Sequence, residues 1–156
     1  MEHKMHKASR QLSDAETLEI LKKGDHGTLS VQGDDGYPYS TPVNYIMVAN
    51  KLYIHSAPYG YKIECLERNT KCCFSAIISA KIIPSKITAA FESVIMTGNA
   101  VFIEDQAEKR AALEAFVTQK HPGYEDVGFK MIDKQIDKTA VMRIDPISMT
   151  GKAYHG

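Results

Sequence analysis

No excess of charge marks this chain. Its 156 residues carry 19 basic and 19 acidic side chains, which cancel. A nucleic-acid backbone or an anionic membrane surface is therefore not an expected partner. Any bound anion must be held by a local site. Long apolar runs are missing too, and none approaches the roughly 20 residues that span a bilayer. The opening "MEHKMHKASRQ" is polar, with no apolar stretch behind its charges. It is not expected to act as a signal peptide, and residues 1–12 are expected to form a flexible N-terminal segment. Cysteine is scarce: Cys65, Cys72 and Cys73 are odd in number, and the last two are adjacent. Reduced thiols and a cytoplasmic location follow as expectations. No Cys-x-x-Cys or Cys/His spacing supports a metal site.

Several signatures of catalysis are also absent. The chain has no G-x-G-x-x-G, P-loop, G-x-S-x-G elbow or H-E-x-x-H helix, so a dinucleotide fold and self-sufficient hydrolysis are both disfavoured. Asp34 and Asp35 read as turn residues rather than paired catalytic carboxylates. A cofactor that brings its own chemistry remains compatible with the chain.

What is present is ordinary globular material. Hydrophobic residues make up 44% and charged residues 24%, and the length allows one domain, residues 1–156, with a real core. "SDAETLEILKKGDHG" opens with a capping box, Ser13 and Glu16, and Gly24 marks a helix stop. Three β-rich runs follow between "HGTLSV" and "LYIHSA", separated by "GDDG" and "AN" turns. Pro38 and Pro42 each remove a ladder donor and point to an edge strand or a bulge. "YGYKIECLERN" fits two helical turns. "KCCFSAII", "ITAAFESVIMTGNAVF" and "KTAVMRIDPIS" read as strands, with "SAKIIPSK" as a loop and "MTGKAYHG" as a tail. Gly98 marks a bulge or bend. "QAEKRAALEAFVTQKH" and "YEDVGFKMIDKQID" read as helices. The sum is α+β: about six antiparallel strands in a barrel with flanking helices.

Four places in this framework carry candidate chemistry. Gly60, Tyr61 and Lys62 stand where a short helix begins, and Ser56 ends the preceding strand. Outward backbone amides with one ammonium suit a phosphate monoester; a solvated lysine on a capping turn is the plain alternative. His55 lies in a patterned strand, where it either orients a ligand and passes a proton near neutral pH or serves as a cross-strand partner. His26 and His121 sit at element ends, where turn or cap roles suffice. In "STPVNY" the backbone of Val43, Asn44 and Tyr45 either meets a flat heteroaromatic edge or forms a plain edge strand. Glu92 and Ser93 interrupt an apolar strand; a buried carboxylate there needs a partner, whereas solvent or a subunit interface needs none.

The order of these pieces resembles the pyridoxamine 5′-phosphate oxidase-like superfamily, and most closely its nitroimidazole-resistance branch. That branch runs "DG-x-P-x-x-x-P-V-N-Y", then "Y-x-H-S-A-x-x-G-x-K", then "N-x-x-V-x-F". The matching residues are Asp35, Gly36, Pro38, Pro42, Val43, Asn44 and Tyr45, then Tyr53, His55, Ser56, Ala57, Gly60 and Lys62, then Asn69, Cys72 and Phe74. The resemblance implies a six-stranded antiparallel split barrel that is homodimeric, with FMN in clefts between the subunits. It implies that Ser56, Tyr61 and Lys62 contact the phosphate or ribityl chain. Thr41, Pro42, Val43, Asn44 and Tyr45 would line the isoalloxazine. His55 would lie near flavin and substrate as the catalytic residue, with Glu92 and Ser93 reaching flavin held by the other subunit. The implied activity is reduction of a small acceptor such as a nitroaromatic, with electrons from a reduced nicotinamide. Alternatives are a non-catalytic flavin-binding or redox-sensing protein, or a split barrel holding haem or a deazaflavin.

The departures are specific. The vitamin-making oxidases carry an arginine matching Thr41 and a lysine matching Ile46. Their phosphate turn is richer in serine and arginine, and a C-terminal arginine and histidine grip the substrate. This chain has none of these, so pyridoxamine phosphate oxidation is not expected. Fewer cationic contacts also weaken phosphate binding, by about 1.5–3 kcal/mol for each charge-assisted bond.

Overall fold

The computed structural model describes residues 3–156. Its first helix, α1 (Asp14–Lys23), begins as the sequence predicts. The Glu16 amide donates to the Ser13 hydroxyl and the Ser13 amide donates to the Glu16 carboxylate, at 3.2 and 2.8 Å. Two amides that the helix cannot satisfy are thereby paired. Gly24 follows the helix with φ −85°, so no left-handed turn demands a glycine there. Close approach does, because a Cβ on Gly24 would collide with the Tyr45 hydroxyl.

Seven strands build a single antiparallel sheet among the described residues: β1 (His26–Gln32), β2 (Pro38–Asn44), β3 (Ile46–Val48), β4 (Lys51–Ser56), β5 (Lys71–Ile83), β6 (Thr88–Phe102) and β7 (Ala140–Tyr154). Their order across the sheet is β2-β1-β5-β6-β7-β4-β3. Helix α2 (Tyr61–Arg68) follows β4. Helices α3 (Gln106–Lys120) and α4 (Glu125–Gln135) lie between β6 and β7 in the chain. None of the described helices is long and apolar enough to cross a membrane.

The count of six strands is corrected to seven at Tyr45. The run "YPYSTPVNYIMV" reads as one strand because its β-propensity is continuous. In the structure it splits into β2 and β3, which are the two opposite edges of the sheet. One residue spans only about 3.5 Å of extended chain. Opposite edges can be joined by one residue only if the sheet curls until those edges meet. The curl makes the barrel, and the absence of any ladder between β2 and β3 leaves it split along that seam. Tyr45 is buried at the join. Its hydroxyl donates to the Leu21 carbonyl at 2.6 Å, and its ring meets Phe74 edge-on at 5.1 Å. Burial pushes its pKa up to about 12.

Two cores follow from strand alternation. Leu52 and Ile54 point into the barrel with Leu29, Phe74, Val94 and Met142. Burying each such side chain contributes about 1.5–3 kcal/mol. Tyr53 faces the other way, into a second cluster that holds Val141 against Leu113, Phe116 and Ile132 of α3 and α4.

Three further expectations change. The expected loop "SAKIIPSK" is strand to Ile83, with a tight turn at Pro84–Lys86 and Ile87 at φ 49°. The expected tail "MTGKAYHG" belongs to β7 as far as Tyr154, because Phe91–Val94 of β6 offers it a continuous ladder. Of the N-terminal segment, expected to be flexible through residue 12, the described residues from Arg10 to Leu12 meet that same strand. The Leu12 amide donates to the Gly151 carbonyl at 2.9 Å, and the Arg10 guanidinium lies 4.0 Å from the Tyr154 ring centroid. The bend at Gly98 appears as expected: the β6–β7 register shifts between Thr97 and Gly98, where a Cβ would collide with the Asp145 carbonyl.

Candidate functional site

The site forms where β4 outruns its neighbour. Strand β3 pairs only with Lys51, Leu52 and Tyr53. Beyond them Ile54, His55 and Ser56 pair with β7 alone, which leaves one backbone edge open. Across the seam, β2 is the terminal strand and likewise has one open edge. The two strands approach within 8 Å, Cα to Cα. Open edges facing each other supply backbone donors and acceptors that no strand consumes. Thr41, Pro42, Val43 and Asn44 lie on β2, the open strand on the other side of the seam from β4, which carries His55 and Ser56. Val43 and Tyr45 turn their side chains into the core, and the Tyr45 amide donates to the Asp25 carbonyl at 3.2 Å, while Pro42 and Asn44 are exposed.

The chain then turns through Gly60 into α2. Gly60 has φ 119°, and nothing stands within 4 Å of the place a Cβ would occupy. The backbone is therefore open to close approach. Its carbonyl accepts the Ile63 and Glu64 amides, at 3.0 and 3.1 Å. The first-turn amides of Tyr61 and Lys62 lie where no carbonyl inside the helix reaches them. Lys62 is half-buried and makes no salt bridge among the described residues. Two amides, an ammonium and an open glycine fit a phosphate monoester. The Ser56 hydroxyl donates to the Ala57 carbonyl at 2.8 Å, so toward a ligand it offers its lone pairs first. The Tyr61 hydroxyl donates to the Asp34 carboxylate and accepts the Asp34 amide at 3.1 Å. It clamps the β1–β2 turn to α2, and this bond holds the Asp34 carboxyl below its ordinary pKa.

His55 shares the Tyr53 face of β4, as alternation predicts. Its ring packs edge-on against Phe116 of α3, centroids 4.4 Å apart. The side chain is exposed at its surface, while α3 and α4 stand around its ring on the inner side. That burial, and secondly the nearby Lys62 ammonium, hold its pKa below 6.5. His55 is therefore a neutral imidazole at neutral pH, able to donate one hydrogen bond and accept another.

Beside it runs a polar network absent from the sequence reading. The Tyr53 hydroxyl donates to Glu108 at 2.8 Å, and Arg143 donates to the same carboxylate oxygen at 2.6 Å. Arg143 also donates to Asp145 through Nε and Nη2, at 2.6 and 3.0 Å. The bond from Tyr53, followed by that from Arg143, lowers the Glu108 pKa. Tyr53 is raised, first by burial and then by Glu108. The network fixes α3 against β4 and β7.

Glu92 and Ser93 lie elsewhere in this chain. The Glu92 carboxylate meets the His155 imidazole at 3.1 Å and borders a groove formed with α1. Ser93 sits on β6 between Ile77 and Lys152. The adjacent cysteines point to opposite faces, as strand geometry requires. Cys72 is buried, with its thiol donating to the Gly98 carbonyl at 3.7 Å, whereas Cys73 is half-exposed on the outer face. His121 caps α3 as expected, its amide donating to the Val117 carbonyl at 2.8 Å, and it also lines a cavity shared with His55.

A family model for pyridoxamine 5′-phosphate oxidase matches residues 13–153. Among solved structures, the chain is similar to a candidate 5-nitroimidazole antibiotic resistance protein from Bacteroides thetaiotaomicron. The identity is 28% over 91% of this chain and 85% of that one, with a TM-score of 0.72. A conserved hypothetical protein from Mycobacterium tuberculosis has TM-score 0.83 at 19% identity, covering 96% of this chain and 90% of that one. The flavocytochrome Anf3 from Azotobacter vinelandii has TM-score 0.81 at 23% identity, covering 99% of this chain and 73% of that one. No curated protein matches the chain.

Proposed function

The chain belongs to the pyridoxamine 5′-phosphate oxidase family, and on that premise we propose that it is an FMN-dependent oxidoreductase. It passes electrons from a reduced nicotinamide to a small acceptor such as a nitroaromatic. The observation that carries this reading is the placement of Lys62 and the open Gly60 turn beside a neutral His55, at a seam with two unpaired strand edges. The residues fit the group: Lys62 and the amides of Tyr61 and Lys62 would hold its phosphate. The open backbone of Thr41–Asn44 would meet the polar edge of its ring system. Bound flavin would supply the two-electron chemistry.

The chain's own residues do the rest. His55, neutral and pinned by Phe116, presents one hydrogen-bond donor in a fixed direction and orients the acceptor. Thr41 and Ile46 stand where the vitamin-making oxidases carry arginine and lysine, so pyridoxamine phosphate is not the expected reactant. The uncovered face of the sheet supports a homodimer. Ile77 and Ile95 lie there 73% and 53% exposed, on strands that no described helix covers from that side. Glu92 and Ser93, apart from the seam within one chain, would reach flavin only through such a partner. Cytoplasmic location accords with the reduced cysteines.

The visible spectrum of the purified protein tests this reading. Flavin absorption, or FMN uptake on titration, is expected. A colourless protein that ignores FMN overturns the proposal, as does a Soret band in its place. Bound flavin reoxidised by a nitroaromatic faster than free FMN separates an enzyme from a flavin store. His55→Ala is expected to keep FMN and lose that reoxidation.

A further inference from the structure

Behind His55, on the side away from the barrel core, α3 and α4 enclose a cavity of about 430 Å³. That volume lies within the range of small-molecule sites, roughly 300–1,000 Å³. The cavity is held open by its frame. Gly128 brings α4 against Val117 of α3, where a Cβ would collide, and Arg110 of α3 bridges to Asp133 of α4 at 2.7 Å. The walls are apolar, with Leu113, Phe116 and Ile136 within and Val127 and Met131 at the mouth. The last two are 59% and 60% exposed. No lysine, arginine, aspartate or glutamate is among the lining residues. Their polar groups are the imidazoles of His55 and His121, the Tyr124 hydroxyl, Gln135 and Thr139, and the Thr139 hydroxyl already donates to the Gln135 carbonyl at 2.9 Å.

We propose that this cavity binds an uncharged aromatic compound of two or three rings, and that the reactant presented to His55 belongs to that class. The second half rests on the flavin reading of the seam; the first does not. A carboxylate or phosphate entering here would lose hydration, and no cationic side chain lines the walls to offset the loss. A single five-membered ring would leave most of the space unfilled and forfeit the contacts that filling it provides. An extended aromatic body fills the walls, and its one or two polar atoms meet His55 and His121. The neutral state of His55 accords with a ligand that carries no charge.

The test uses the purified full-length protein and two fluorescent probes that differ by one sulfonate: neutral N-phenyl-1-naphthylamine and anionic 8-anilino-1-naphthalenesulfonate. The neutral probe is expected to bind one per chain, with a Kd on the order of micromolar. The anionic probe is expected to bind about tenfold more weakly or worse. The neutral probe should shift the ring C–H resonances of His55 and His121. Met131→Glu, at the exposed mouth, should weaken the neutral probe about tenfold at unchanged Tm, and Met131→Leu should not. Equal affinity for both probes overturns the inference, as does neutral binding that ignores Met131→Glu. FMN uptake without neutral-probe binding sinks the cavity inference alone. Neutral-probe binding without FMN uptake sinks the flavin reading alone.

Discussion

The imidazole of His55 and the ring of Phe116 meet edge-on, with centroids 4.4 Å apart and planes inclined by 80°. The contact crosses from β4 to α3. Two residues earlier on the same face, Tyr53 donates to Glu108 of the same helix. Strand and helix are thus tied at two points, and the side chain that carries the proposed chemistry sits at one of them. Phe116 is buried within the second core. Phe116→Ala should cost about 3–5 kcal/mol of stability, measured by urea denaturation. It should also let water reach His55 and move its pKa back toward 6.5, read by NMR titration of the ring C–H. A His55 titration that stays put would show that Phe116 does not control it.

The same burial makes stability depend on pH, with a definite sign. His55 titrates below 6.5 in the folded protein and near 6.5 once unfolded. Between those values the unfolded chain binds the extra proton. The contribution is intact above about pH 6.5 and is lost as pH falls through the folded value. The Lys62 ammonium raises the cost of protonation and adds to the effect; His121 and Tyr124 share the cavity. Urea midpoints should decline on acidification from pH 7, and His55→Gln should flatten that decline. The carboxylates lowered by their partners, Asp34, Glu108 and Asp145, act in a separate window below about pH 4.5. An equal decline in His55→Gln would place its cause elsewhere.

Lys62 gives a test that distinguishes phosphate recognition from ring recognition. Lys62→Met keeps the aliphatic stem and removes the charge. Losing a charge-assisted bond of about 1.5–3 kcal/mol should weaken FMN about 10- to 150-fold. Riboflavin, which lacks the phosphate, should bind both proteins alike. Flavin fluorescence titrations measure both ligands. An equal loss for FMN and riboflavin would mean that Lys62 supports the fold of the turn rather than the phosphate.

Local signals carried much of this architecture. Ser13 and Glu16 announced α1, the prolines at 38 and 42 announced an edge, and Gly98 announced a bend. Alternation in "KLYIHS" assigned Ile54 and His55 to opposite faces before any contact was visible. What stayed illegible is non-local. Nothing in "VNYIM" marks Tyr45 as the point where the chain leaps from one edge of the sheet to the other, because that depends on curl accumulated over all seven strands. Glu108 and Arg143 are ordinary surface residue types, 35 positions apart, and only the docking of α3 makes them partners of Tyr53. His121 looked like a helix terminator, and the return of α4 makes it a cavity wall. The site was legible where one short segment holds it, from His55 to Lys62, and hidden where two distant elements meet.

The uncovered sheet face decides the last prediction. One row of residues crosses five strands in register: Ser40, Ser30, Cys73, Thr97 and Ser148. Its hydroxyls pair within the sheet, Ser30 with Ser40 at 2.7 Å and Thr97 with Ser148 at 2.6 Å. Such a surface is flat, small and already satisfied in hydrogen bonding. Ile77 and Ile95 rise on the same face beside it. Pairs of exposed isoleucines on a face that no described helix covers are what a second copy of the chain would bury. Analytical ultracentrifugation should give about twice the 17.4 kDa chain mass. Ile95→Arg would set two like charges near each other across a two-fold interface, and should return the protein to the single-chain mass without lowering monomer stability. If flavin sits between subunits, this variant should also release FMN although it leaves Lys62 and His55 untouched. A monomeric Ile95→Arg protein that retains FMN would place the whole cofactor site within one chain.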